Sequence, residues 1–105
     1  MIPIASSPLE TTIRRAGLYK EAGADGLFVT GIQDVDLIRQ IVSATTLPVN
    51  LVGASKVSAI QTLANLGVKR ISMAGILFAA GYKKTEAILT AIKVENSLAG
   101  LFSAP

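Results

Sequence analysis

Three short apolar runs, each closed by a glycine, set the frame of this chain. GLFVTG ends at Gly31, PVNLVG at Gly53 and RISMAG at Gly75, a constant step of 22 residues. Segments of helical period fill the intervals. Strand and amphipathic helix in strict alternation mark parallel βα units, and near-continuous apolar strands are those of a sheet covered on both faces. The order expected is α-β-α-β-α-β-α, with Met1–Ile4 a weak candidate for one more strand. Right-handed crossovers follow from the twist of the strands.

The helices carry their own start and stop signals. Ser7-Pro8-Leu9-Glu10 joins an N-cap serine, a proline at the first helical position and a glutamate at the third, a capping box with a proline start. That helix points Leu9, Ile13, Ala16 and Leu18 toward a core and ends near Ala22-Gly23. A second starts at Asp34 and buries Leu37, Ile38, Ile41 and Val42. A third starts near Ser55 or Ser58, turns Ile60, Leu63 and Leu66 inward and stops at Gly67. A fourth runs from about Leu77 or Phe78 to Ser97, with a break expected at Gly81. At 105 residues the chain has room for a single domain, with 98–105 as a C-terminal tail.

Composition removes several chemistries. Half the residues are apolar and 16% are charged, so a packed globular domain is expected. There is no cysteine and no histidine, which excludes disulfides, thiolate nucleophiles and imidazole bases or metal ligands. The net charge of +3 is scattered, no basic run resembles a nucleic-acid arm, and two tyrosines with three phenylalanines offer little stacking surface. No nucleic-acid partner is expected. The opening MIPIASSPLE has neither a basic nor a long apolar segment. The uncharged stretch between Arg70 and Lys83 is interrupted by Gly75 and Gly81, well short of the roughly 18–20 residues of a membrane span. A cytoplasmic protein without membrane contact is the expectation.

Functional groups of parallel α/β folds gather at the C-terminal ends of the strands. Aligned on their glycines, the runs place Phe28, Asn50 and Ser72 at one position and Thr30, Val52 and Ala74 two residues later, on the same face by strand alternation. That face should show Thr30, Asn50 and Ser72. The opposite parity, Val29, Leu51 and Met73, suits packing under helices. Threonine and serine are at home in strands. Asparagine is not, and a buried amide must find partners, because leaving it unpaired costs about 1–3 kcal/mol. A polar cavity or a ligand at the strand tip meets that need. Glu10, Glu21, Glu86 and Glu95 fall on solvated helix faces, Asp34 and Asp36 in a first helical turn, and Asp25 at the wrong end of a strand. No acid–base pair or metal dyad emerges. The segment Met73-Ala74-Gly75 before the last helix offers backbone N–H groups to an anion, and Lys56 stands near enough to Gly53 to reach an acidic ligand.

The blocks IRRA…Y…EAGADGLFV, LPVN and LGVKRIS, in this order and spacing over about residues 9–92, resemble the C-terminal half of the isocitrate lyase/phosphoenolpyruvate mutase superfamily, in particular its short bacterial members. The resemblance implies a modified (β/α)8 barrel of the TIM type, with this chain supplying about strands six to eight. It implies a lyase acting on C–C or P–C bonds of small 2-oxo- or 2-hydroxy-carboxylates through an enolate held on Mg2+. Asn50 matches the asparagine that isocitrate lyases present to a substrate carboxylate, and Ser72 a hydroxyl residue of similar task. Thr30 stands where short members have proline and classical ones glutamate. Residues 1–7 do not match. The family's acidic metal ligands, its catalytic-loop cysteine motif and its fifth-strand arginine have no counterpart here, so this chain alone is expected to be inactive. The family also implies a homo-oligomer that exchanges its last helix, here about Phe78 to Ser97. Two other readings stay open: a noncatalytic half-barrel or assembly partner, and a phosphate-binding barrel enzyme of another family using Gly53 and Gly75.

Overall fold

A computed structural model describes residues 7–102. The candidate strand at Met1–Ile4 lies outside the described residues. The chain divides into two compact units, one ending at Ser72 and the other beginning at Met73.

The first unit holds α1 (Pro8–Glu21), β1 (Leu27–Val29), α2 (Val35–Ala44), β2 (Val49–Val52), a 3-10 turn (Ser55–Val57), α3 (Ile60–Leu66) and β3 (Arg70–Ser72). Its helix ends follow the local chemistry. The Glu10 N–H donates to Ser7 Oγ at 3.1 Å and the Ser7 N–H to Glu10 Oε2 at 3.4 Å, closing the capping box. The Asp34 carboxylate accepts from the N–H groups of Asp36 and Leu37 at 2.8 and 3.2 Å and starts α2. Gly67 ends α3 at φ +96°, and a Cβ there would stand 2.9 Å from Val42 Cγ1, so the position demands glycine on both counts.

The strands form one parallel sheet in the order β1-β2-β3. Leu27, Val49 and Leu51 turn to one face and bury themselves with Ala16 of α1, Ile38 and Ile41 of α2, and Val57, Leu63 and Val68. Leu9, Val42, Leu66 and Ile71 pack around this core. The other face is open. Phe28 is 55% exposed, Arg70 is exposed, and Asn50, Val52 and Ser72 are half-buried. The apolar strand runs led to the expectation of two covered faces; in this unit the helical layer covers one.

Several expected core positions differ. Leu18, Leu37 and Ile60 are exposed. Leu18 lies two residues past Ala16, and residues so spaced do not share a helix face. Leu37 sits at the margin of the face that Ile38 and Ile41 define. Ile60 stands in the first turn of a seven-residue helix whose buried residue is Leu63. Met73, expected to pack under helices, is exposed, because β3 stops at Ser72 and the chain turns through Ala74 at φ +46°.

The second unit consists of α4 (Ile76–Glu95) and a 3-10 turn (Ala99–Leu101) that packs on it. The break expected at Gly81 does not occur; the Gly81 carbonyl accepts from Thr85 Oγ1 at 3.0 Å within a continuous helix. Asn96, at φ +49°, ends it. No residue of α4 is buried. No helix among the described residues is long and apolar enough to cross a membrane.

Candidate functional site

Asn50 is the second residue of β2 and projects from the open face. Its Nδ2 donates to the Leu27 carbonyl at 3.3 Å, and its Oδ1 accepts from Arg70 Nε at 2.9 Å. Sheet register produces this second bond. Phe28 pairs with Asn50, as the glycine alignment expects, but Asn50 pairs with Arg70, and Ser72 is level with Val52. β3 is thus displaced by two residues from the glycine alignment. A shift of two preserves the face, since that is the period of a strand. Ser72 therefore still shares the side of Asn50, one row further on, while Arg70 takes the place beside the amide.

Phe28, Asn50, Arg70, Ile71 and Ser72 together line a hollow of about 310 Å³. Asn50 and Ser72, singled out from the sequence, meet here. Thr30 does not join them. β1 ends at Val29, so alternation does not extend to Thr30, and Gly31 at φ +78° turns the chain away. Thr30 instead lines a separate cleft of about 190 Å³ with Leu9 and Thr12 of α1, Gln33, and Leu37 and Ile41 of α2. Lys56, in the 3-10 turn, is exposed and is not among the residues lining the hollow.

Arg70 is the residue that sequence reasoning missed. Beside Lys69 it reads as half of a solvated basic pair. Counting back two from Ser72 would have placed it on the open face. Among the described residues the ion pair is Arg39–Asp36, on α2. The guanidinium thus gives the hollow a positive charge, and among the described residues no carboxylate forms an ion pair with it.

This donor set does not fit Mg2+, the ion implied by the resemblance. Mg2+ takes six hard oxygen ligands, usually with one or more carboxylates. Here the amide oxygen is held by Arg70, whose charge repels a cation, and no group of three His, Cys, Asp or Glu side chains among the described residues can hold a metal.

Against known proteins, the model of the phosphoenolpyruvate phosphomutase family matches residues 3–93. The chain belongs to this family. It thereby falls in the isocitrate lyase/phosphoenolpyruvate mutase superfamily, and the reading as a phosphate-binding enzyme of another family is set aside. An oxaloacetate decarboxylase of Pseudomonas fluorescens (strain SBW25) is 40% identical over 70 residues, covering 65% of this chain and 24% of that protein. A Burkholderia cenocepacia J2315 structure described as a lyase/mutase superposes with a TM-score of 0.81 at 33% identity, over 92% of this chain and 36% of its own. A phosphoenolpyruvate phosphomutase from Streptomyces platensis subsp. rosaceus, at 22% identity and a TM-score of 0.76, shares the fold over 97% of this chain and 38% of its own. The chain thus spans about a quarter of the length of the curated relatives it matches.

Proposed function

We propose that this member of the phosphoenolpyruvate phosphomutase family carries the carboxylate-binding part of a lyase/mutase site, on about the sixth to eighth strands of a (β/α)8 barrel. The observation that carries the reading is Asn50, the polar residue of an otherwise apolar strand, seated with Ser72 in a hollow on the open sheet face. The two-residue stagger of β3 is in keeping with the shear that barrel closure requires. In this role Asn50 directs its second amide hydrogen to a substrate carboxylate oxygen, and Ser72 borders the same group. The substrate class is a small 2-oxo acid, for which oxaloacetate is the representative suggested by the relatives' name. Nothing in the donor set holds Mg2+, so the chain by itself binds the acid without cleaving it.

The test is a thermal melt of the purified chain with oxaloacetate, paired with an assay for pyruvate release. The midpoint rises with ligand, the rise disappears in Asn50→Leu, and pyruvate forms no faster than in protein-free buffer at the same Mg2+ concentration. A ligand-indifferent midpoint contradicts the binding role; pyruvate release above the protein-free control that grows with protein concentration contradicts the inactivity.

The chain also works as a homo-oligomer in this reading, with α4 docked on another copy. The support is the apolar surface of that helix: Leu77, Phe78, Tyr82, Leu89 and Val94 are all more than half exposed. Exposed apolar area of this kind marks an interaction surface.

A further inference from the structure

We propose that Arg70 is a further ligand-binding residue of this hollow, clamping a carboxylate end-on through Nη1 and Nη2 while its Nε holds Asn50. The proposal rests on the carboxylate-site reading above and adds to it the residue that supplies the charge. A guanidinium presents five N–H donors in a rigid plane, with one edge formed by Nε and a terminal nitrogen and another by the two terminal nitrogens. In this chain Nε is committed to Asn50 Oδ1 at 2.9 Å. Among the described residues the recorded side-chain bond of Arg70 is this one, so the end-on edge stands open to a ligand, and its spacing matches the two oxygens of one carboxylate.

The same bond sets the polarity of Asn50. An amide in a polar hollow can offer either its oxygen or its nitrogen. Here the oxygen is taken by Arg70 and one Nδ2 hydrogen by the Leu27 carbonyl. The amide is pinned at both ends and turns a donor, not an acceptor, to the hollow. Two residues level with each other in the sheet thus present only donors, beside the apolar wall of Phe28 in the same row. Such a site selects an anion over a neutral molecule of the same shape. Lysine in place of Arg70 keeps the charge but reproduces neither the grip on Asn50 nor the two-pronged edge.

The experiment is calorimetric titration of the full chain at low salt with malonate, a small dicarboxylate, and with malonamide, its uncharged counterpart. Native chain, Arg70→Lys, Arg70→Met, Asn50→Leu and the neighbouring charge control Lys69→Met are compared, with thermal midpoints as the check on folding. The native chain binds malonate and not malonamide. Arg70→Lys and Arg70→Met each lose at least about tenfold in affinity, and Lys69→Met changes by less than about twofold. In the nitrogen–proton spectrum the Arg70 Nε–H resonance moves with malonate. Equal malonate affinity in Arg70→Lys or Arg70→Met overturns the clamp while leaving the carboxylate role of Asn50 standing. Loss in the Arg70 variants with none in Asn50→Leu supports the clamp and removes that role from Asn50. No malonate binding by the native chain overturns both.

Discussion

At the scale of single residues, the hydrogen bonds of Asn50 explain why an asparagine stands in an apolar strand. Its amide bridges the Leu27 carbonyl and Arg70, so two neighbouring strands are tied through one side chain. Asn50→Ala removes both bonds and should lower stability by about 1–2 kcal/mol in urea unfolding, the low side being set by the exposure of Arg70. Asn50→Asp should behave differently. A carboxylate against the guanidinium keeps the thermal midpoint near that of the native chain, while anion binding falls because the hollow has lost its positive charge. A midpoint that collapses in Asn50→Asp would mean that the Leu27 bond, and not Arg70, dominates. Gly67 makes a second residue-scale prediction. Gly67→Ala combines a left-handed backbone with a Cβ 2.9 Å from Val42 Cγ1, and should cost roughly 1–2 kcal/mol from the backbone alone. Adding Val42→Ala relieves the contact but not the backbone term, so the double variant should remain destabilised. Asn50 was legible in the sequence because one polar residue interrupts an apolar run. Arg70 was not, because its place beside the amide depends on strand register.

Among the elements, the starts of α1 and α2 were the most legible, since capping is local chemistry; α3 begins at Ile60, past both Ser55 and Ser58, behind Ala59 with no side-chain cap. Ser7 and Glu10 are three residues apart and find each other without help from the rest of the fold. Ser7→Ala should therefore cost about 1 kcal/mol, measured by chemical denaturation, without altering the hollow. Core positions answer to a different term. Leu51 and Ile38 are almost wholly buried between the sheet and its helices, and either one replaced by alanine should cost about 2–5 kcal/mol by the same measurement. Strand positions were legible from the apolar runs closed by glycine, but the pairing of β2 with β3 was not. Equal spacing along the chain says nothing about stagger across the sheet, which is settled by the hydrogen bonds between strands. That stagger displaces Ser72 one row from Asn50. Thr30 was misplaced for a related reason: alternation holds only while the strand lasts, and β1 stops one residue short of it.

For the whole molecule, α4 raises the question of what covers its apolar side chains. A twenty-residue helix without one buried residue is an incomplete element. Light scattering should give a mass above that of one chain, and Phe78→Ser combined with Leu89→Ser should bring it down to the single-chain value. A native chain already at that value would count against docking of α4 on another copy. Whether the open face around Asn50 is a carboxylate site is decided by amide NMR during titration of the chain with oxaloacetate. A carboxylate site there gives saturable shifts gathered at residues 28, 50, 70 and 72, with the Thr30 cleft undisturbed. Shifts gathered around Thr30, or none at any residue, would contradict it.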